Sequence, residues 1–231
     1  MRIRAVVFDI GQTLVHYPIP LNWSALYRPA FEHIEQKLGL SLSESAYEHI
    51  GKTLAKYNTR INPREKEVPS DLIFTEILEG TGIPCELKEA VKNEFYHYFR
   101  CEARVYPEAE KVLAELSSRQ VITATLSDVA YGMDNRYALE DIRPLLEYIR
   151  YPYTSNDTGW RKPCGRALEI LAEKMGVPAR EIAFVGDEVK DVQCAKNAGA
   201  VSVLINRTGE TKDYGQDYEI KDLQEIIPLI V

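Results

Sequence analysis

Short apolar runs that stop at a carboxylate occur near both ends of the chain. Residues 5–8 are all apolar and lead into Asp9 and the turn residue Gly11, and residues 182–185 lead through a glycine into Asp187. Apolar runs without polar alternation are typical of strands that are covered on both faces in a parallel sheet. The pattern therefore predicts two buried strands, each of which ends at a carboxylate.

The region between residues 16 and 104 has helical periodicity instead. Apolar residues recur there at three- and four-residue spacings, and short segments with Pro or Gly separate the series. The first series consists of Leu26, Ala30, Phe31, Ile34 and Leu38. We predict an all-helical domain at residues 16–104, inserted into a core that is made of residues 1–15 and 105–231.

Strand-like and helix-like segments alternate after residue 105. The predicted strands are 121–126, 148–151, 182–185 and 200–205, and the predicted helices are 107–119, 137–146, 163–175 and 191–198. Such alternation is typical of a parallel sheet that is covered by helices. We therefore predict an α/β fold whose core is a Rossmann-like parallel sheet with helices on both faces.

Composition narrows the possible partners and location. The formal charge of −7 and the pI near 5.3 argue against a broad surface for nucleic acid or anionic membranes. No run reaches the roughly 18 apolar residues that a membrane span needs. The four cysteines show no CxxC pairing, which favours a reducing compartment. We expect a cytoplasmic protein, and the sequence does not indicate its oligomeric state.

Four strand ends or following loops carry polar groups, which a parallel sheet brings to one edge. They are Asp9 with Thr13, Ser127 with Asp128, Arg161 with Lys162, and Asp187 with Asp191. In order and approximate spacing, this set resembles the four motifs of the haloacid dehalogenase superfamily, most of whose members are phosphatases. The predicted helical domain falls where that family inserts its cap.

The resemblance implies a hydrolase that acts on small phosphorylated metabolites. Asp9 would attack phosphorus and form an aspartyl-phosphate, a role that requires an ionised carboxylate. Lys162 would be the second catalytic residue, because its charge can neutralise the transferring phosphoryl group. The implied substrate-binding groups are the amides of Ile10 and Gly11, Ser127, Asp128 and Lys162.

The resemblance also implies Mg²⁺, which prefers oxygen ligands in proteins. The implied ligands are Asp9, the backbone carbonyl of Gly11, Asp187 and Asp191. Asp191 would act through a metal-bound water or by orienting Asp187. Thr13 is expected to order the turn after the first strand.

Gly11 departs from the family pattern. The phosphatases usually carry a second Asp at this position, two residues after the nucleophile, and that Asp donates a proton to the leaving oxygen. General acid–base catalysis contributes about 10²- to 10⁴-fold, so its loss would slow the cleavage of alkyl esters. His16, Gln12 and Asp128 are the candidate substitutes, although Gln cannot supply an acidic proton.

Two other functions remain open at this point. Without the second Asp, the chain could be a phosphate-binding or regulatory relative that has little turnover. The superfamily's dehalogenases also lack the second Asp and usually have an aromatic residue nearby, but they need no Mg²⁺. Ser127 and Asp128 have a simpler alternative too, because polar residues that follow a strand often cap a helix.

Overall fold

The computed structural model describes residues 2–19, 22–100 and 102–230. The strands are β1 (Ala5–Phe8), β2 (Val15–His16), β3 (Arg104–Val105), β4 (Ile122–Ser127), β5 (Tyr151–Thr154), β6 (Ile182–Gly186), β7 (Val201–Ile205) and β8 (Tyr218–Ile220). The helices are α1 (Trp23–Leu38), α2 (Glu44–Tyr57), α3 (Ser70–Glu79), α4 (Lys88–Tyr98), α5 (Ala109–Ser118), α6 (Asn135–Ala138), α7 (Ser155–Thr158), α8 (Arg166–Met175) and α9 (Val189–Asn197). Among the described residues, no helix is long and apolar enough to cross a membrane.

Six strands form one sheet in the order β5-β4-β1-β6-β7-β8, and all neighbours are parallel. The central strand β1 places Phe8 in register with Thr125 of β4 and Val185 of β6. The chain leaves β1 toward β4 on one side and reaches β6 on the other, so the ends of these three strands flank a topological switch point. The predicted α/β fold is confirmed.

Both faces of the sheet are covered, as the unbroken apolar strands predict. In β1, Val6 and Phe8 pack with α5 and the C-terminal segment, whereas Ala5 and Val7 pack with α8 and α9. Each of these four side chains is fully buried. Alternate residues of one strand thus belong to two separate cores, which fixes the strand's register and the direction of its C-terminal end.

A block of four helices, α1 to α4, lies between β2 and β3, and these two short strands pair antiparallel at its base. The block has its own apolar cluster, which includes Phe31, Ile50, Phe74 and Phe95. Tyr131, which comes from the core segment after β4, is buried in the same cluster. Its ring centroid lies 5.8 Å from that of Phe95, with the two rings perpendicular. The division into a core and a separate domain stays a prediction.

Several element boundaries differ from those predicted. The strand expected at 148–151 is β5, which begins only at Tyr151, because residues 140–148 form a 3₁₀ helix that contains Pro144. The helix expected to start at Asp191 begins two residues earlier, at Val189. The short strands β2, β3 and β8 were not predicted, since strands of two or three residues leave little periodic signal.

Candidate active site

Three carboxylates converge at the C-terminal edge of the sheet. Asp9 follows β1, Asp187 follows β6, and Asp191 lies in the first turn of α9. One oxygen from each of the three side chains lies within 4.8 Å of the others. Asp191 is held in place because its Oδ2 accepts a 2.9 Å hydrogen bond from the amide of Glu188, as part of a capping box.

Lys162 is the cation at the centre of this group. Its Nζ lies 2.6 Å from Oδ1 of Asp9 and 2.6 Å from Oδ1 of Asp191. The Lys162 side chain is only 1% exposed, so its charge is removed from solvent and depends on these partners. Burial by itself lowers the pKa of Lys162, but the charges of Asp191 and Asp9 outweigh that effect and raise it well above the ordinary value.

Two of the acids in this site, Asp187 and Asp191, have raised pKa values. Burial, with a further contribution from the charge of Asp9, raises the pKa of Asp187 to about 7. Burial also raises the pKa of Asp191 to about 6, although Lys162 opposes that change. Three carboxylates and one ammonium leave two negative charges without a counter-ion. This imbalance adds to the effect of burial on the pKa values of Asp187 and Asp191.

The donor set fits Mg²⁺. The three converging carboxylates supply the hard oxygen ligands that this ion prefers, and its two charges match the excess negative charge of the cluster. Asp9, Asp187 and Asp191 would hold the ion, with the carbonyl of Gly11 as the further ligand implied by the sequence. When bound, the ion would stabilise negative charge on a substrate phosphate.

A cavity of about 990 Å³ opens at this edge, between the strand ends and the helical block. Its lining includes all the predicted substrate-binding residues except Lys162, namely Ile10, Gly11, Ser127 and Asp128. Asp9 and Asp187 line it as well. The structure therefore brings the predicted site residues to one place, with Lys162 and Asp191 buried just behind the cavity wall.

Asp128 contacts the segment that carries Lys162. Its Oδ1 accepts a 3.1 Å hydrogen bond from the amide of Lys162, and its Oδ2 lies 3.8 Å from both Arg161 and Lys190. The helix-capping alternative is wrong for Asp128, because the 3₁₀ turn that follows has Val129 at its cap position and no side-chain cap. Asp128 instead fixes the backbone of Lys162.

Thr13 contributes to the turn after β1 through its backbone amide and not through its hydroxyl. Its hydroxyl is buried and has no hydrogen-bond partner among the described residues. The turn is ordered instead by the carbonyl of Ile10, which accepts hydrogen bonds from the amides of Thr13, Leu14 and Val15.

Comparison with known proteins agrees with this arrangement. A family model described as haloacid dehalogenase-like hydrolase matches residues 3–199. The chain belongs to the haloacid dehalogenase-like hydrolase family. This confirms the resemblance that the four motifs indicate.

Two curated relatives span nearly the whole chain. A phosphatase from Mycobacterium tuberculosis is 26% identical over 214 residues, which cover 92% of each chain. A ribulose-1,5-bisphosphate 5-phosphatase from Halopiger xanaduensis is 25% identical over 213 residues, which cover 90% of this chain and 86% of the relative. A solved 2-haloacid dehalogenase from Pseudomonas syringae has a TM-score of 0.68 and 20% identity, and the match covers 99% of this chain and 97% of the dehalogenase. This last likeness shows a common fold.

Two of the candidates for the missing proton donor of this haloacid dehalogenase-like chain lie beside each other. His16 is exposed, and its Nδ1 lies 3.1 Å from Oε1 of Gln12. Gln12 lines the cavity, whereas His16 is not among the cavity-lining residues in the described part of the chain. The geometry therefore does not favour His16 as a donor to substrate.

A different pair, Tyr17 and Asp141, lies next to Gly11. The Tyr17 hydroxyl donates a 2.8 Å hydrogen bond to Oδ2 of Asp141, and both residues line the cavity. Sequence analysis missed this pair because its members are 124 positions apart and belong to no motif. An aromatic residue shortly after the first strand was the only available signal.

The helical block also contributes a buried charge to the segment before Lys162. Glu67 forms an ion pair with Arg161, and both side chains are almost completely buried. Backbone hydrogen bonds join the same segments, from the amide of Glu67 to Gly159 and from the amide of Arg161 to Glu65. This contact, which was not predicted, connects the helical block to the lysine segment of the haloacid dehalogenase-like core.

Proposed function

We propose that the protein is a Mg²⁺-dependent phosphatase that hydrolyses small phosphate monoesters through an aspartyl-phosphate on Asp9. The observation that carries the proposal is the contact of Lys162 with Asp9 and Asp191 beside Asp187, at the edge of the cavity. An acidic group of this kind, held around one buried lysine, suits a divalent cation and a phosphate together.

The chemistry that we propose for Asp9 has two halves. In the first, a carboxylate oxygen of Asp9 attacks phosphorus as the bond to the leaving oxygen breaks. In the second, water attacks the same phosphorus, and the bond to Asp9 breaks to release phosphate. Asp9 ends the cycle as a carboxylate, ready to react again.

The other site residues would stabilise charge and orient the substrate. Lys162 would interact with the transferring phosphoryl group and hold Asp9 in position, and Asp191 would in turn hold Lys162. Ser127 lines the cavity and would donate its hydroxyl to a phosphate oxygen. Mg²⁺ would add charge stabilisation that these side chains cannot supply alone.

The proposed substrate is a small phosphorylated metabolite. A cavity of about 990 Å³ fits a small molecule, and the helical block that covers it leaves little room for a polymer. We propose that this block acts as a cap that excludes water from the reaction. The two curated relatives are both phosphatases, which supports this class of activity. A cytoplasmic location stays a prediction.

One observation favours a second function, the release of halide from a haloacid. The Tyr17 ring lies against Gly11, and the family's dehalogenases have an aromatic residue near this position. The three converging carboxylates argue for the phosphatase instead, because dehalogenation needs no metal.

Hydrolysis of p-nitrophenyl phosphate tests the proposal. We expect Mg²⁺-dependent turnover that EDTA abolishes, and that Asp9→Asn lowers by at least about 10³-fold, because the nucleophile is lost. Asp71→Asn, which changes an exposed acid of the helical block, is the matched control and should keep full activity. Turnover that survives in Asp9→Asn would remove Asp9 from the mechanism.

Two further outcomes would replace the proposal. Halide release from a 2-haloacid in the presence of EDTA would assign the chain to the dehalogenases. Binding of inorganic phosphate without turnover of any phosphate ester would instead indicate a phosphate-binding or regulatory protein.

A further inference from the structure

Tyr17 occupies the space beside Gly11 into which a larger side chain would project. A Cβ atom built on Gly11 would lie 3.3 Å from Cε2 and 4.0 Å from Cδ2 of the Tyr17 ring. Tyr17 is partly buried and lines the cavity together with Asp9. A phenol ring therefore lies where the second Asp of a phosphatase of this family would begin.

Asp141 provides the phenol with an acidic partner. It lies in the 3₁₀ helix at residues 140–148, and its Oδ2 accepts the hydrogen bond from the Tyr17 hydroxyl. Burial raises the pKa of Asp141, although the Tyr17 hydrogen bond and the charge of Arg100 oppose this, and Glu140 adds to it. A carboxyl group that keeps its proton closer to neutral pH is suited to act as a general acid.

We propose that Tyr17 and Asp141 together replace the missing second Asp of this site, with the Tyr17 hydroxyl at the leaving oxygen and Asp141 as the proton source behind it. The proposal rests on the proposed phosphatase function and deepens it, because it explains how a chain with Gly11 can cleave alkyl esters. In it, Tyr17 is a catalytic residue and Asp141 is a positioning residue that acts through Tyr17.

The proton that the leaving oxygen needs comes from Asp141 through Tyr17. As Asp9 bonds to phosphorus and the ester P–O bond breaks, the electron pair of that bond stays on the leaving oxygen. In the reacting form Asp141 is protonated and donates to the Tyr17 oxygen, so that the leaving oxygen takes the hydroxyl proton of Tyr17 while Tyr17 takes the carboxyl proton of Asp141. The hydrogen bond in the structure, with Tyr17 as donor, is that of the pair after this proton has been lost. After the alcohol leaves, Asp141 takes back a proton from solvent, and the water that later attacks phosphorus releases its proton to solvent, so that the pair ends in its starting state.

The contact geometry distinguishes this pair from the other candidates. Gln12 has no acidic proton to give, and both oxygens of Asp128 face N–H or ammonium groups. Tyr17 and Asp141 both line the cavity, and there they combine a hydroxyl with a partly buried carboxyl group to which it is hydrogen-bonded.

The decisive experiment compares two leaving groups in Tyr17→Phe and Asp141→Asn. p-Nitrophenolate leaves without a proton, whereas the alkoxide of glycerol 2-phosphate needs one. We expect kcat for glycerol 2-phosphate to fall by about 10²-fold or more in each variant, with kcat for p-nitrophenyl phosphate within about threefold of the unchanged protein. The double variant should be no worse than Tyr17→Phe alone, since both residues serve one route.

Controls separate the proton route from a structural role. Tyr106→Phe removes another partly buried phenol, which contacts Gln12 outside the cavity lining, and should change neither rate. Asp141→Glu keeps the carboxyl group and should recover part of the alkyl-ester rate. Tyr17→Phe removes a single oxygen, so its result stands even if Asp141→Asn folds poorly.

The outcomes also separate this inference from the proposed function. An unchanged ratio of the two rates in Tyr17→Phe, with the unchanged protein active on both esters, would overturn the inference and leave the phosphatase intact. An equal loss of both rates in Tyr17→Phe would overturn it as well. If the unchanged protein hydrolyses neither ester, it is the proposed function that fails.

Discussion

The molecule has two buried lysines that contact carboxylates, one in the core and one in the helical block. The two clusters differ in how far their acids are exposed to water. Lys92 of α4 is 4% exposed, and its Nζ lies 2.8 Å from Asp71 and 3.0 Å from Glu89. Those two acids are 61% and 58% exposed, so water shares their charge. Lys162 is 1% exposed, and its partners Asp9 and Asp191 are 10% and 1% exposed.

The acids respond in opposite directions. The hydrogen bond from Lys92 lowers the pKa of Asp71, as expected for an acid that keeps contact with water. Burial raises the pKa of Asp191 even though its distance to Lys162 is shorter. When the acids of an ion pair are solvated, water stabilises their remaining negative charge. When an excess of acids is buried, a further cation is needed to neutralise that charge. From that contrast we predict a metal site at the core cluster and a structural role for the Lys92 cluster.

The largest expected effect comes from removing each lysine in turn. Lys162→Met should lower the turnover of p-nitrophenyl phosphate by about 10²- to 10⁴-fold, because the phosphoryl charge loses its stabilising cation. Lys92→Met should stay within about threefold, since its acids return to water. Comparable losses in both variants, measured by steady-state kinetics, would remove the distinction between the two clusters.

Mg²⁺ should stabilise one cluster and not the other. At about 100 times its dissociation constant, the ion adds about 2.7 kcal/mol to the free energy of unfolding. For a chain of this size, that raises the melting temperature by roughly 5 to 10 °C. Asp187→Asn should lose most of this gain, and Asp71→Asn should keep it. A thermal shift that persists in Asp187→Asn would place the ion elsewhere.

The effect that is smallest per pH unit is a pH dependence of the metal-free protein. Asp187 has a pKa of about 7 when folded, against an ordinary value of 3.8. The folded state therefore binds a proton that the unfolded chain releases, and stability should fall as pH rises from about 4 through 7. The slope is at most about 1.4 kcal/mol per pH unit for this carboxyl group. Urea titrations without metal measure it.

Asp187→Asn removes one titrating group and should reduce the slope to the part that Asp191 contributes, and saturating Mg²⁺ should flatten the slope in the unchanged protein. If the stability of the metal-free protein instead increased as the pH rose from about 4 to 7, the negative charge of Asp187 and Asp191 would have to be better neutralised than the geometry indicates.

The parallel sheet and the convergence of its polar strand ends could be predicted because both depend on the residue pattern within short segments of the chain. The run at 182–185 specifies a buried strand by itself, and the rule that parallel strands end at one edge brings Asp187 toward Asp9. The same reasoning placed Ser127 and Asp128 at the cavity, where the structure has them.

Contacts between distant side chains could not be predicted in this way. Arg161 and Glu67 are 94 positions apart, and neither belongs to a periodic series that would mark it as buried. Tyr17 and Asp141 are 124 positions apart, and Asp141 lies in a 3₁₀ helix where the sequence predicts an α-helix. Such pairs depend on the packing of whole elements, which local patterns do not encode.

The position of Tyr131 affects how a substrate could enter the cavity and how a product could leave it. Its ring belongs to the core by sequence but sits among the aromatic side chains of the helical block. Swinging that block outward would remove the ring's aromatic neighbours at a cost of about 2 kcal/mol and would also break the buried ion pair of Glu67 and Arg161, so an outward form would be populated well below one molecule in thirty. Ester entry and phosphate exit would then use the mouth of the cavity as it stands in the structure.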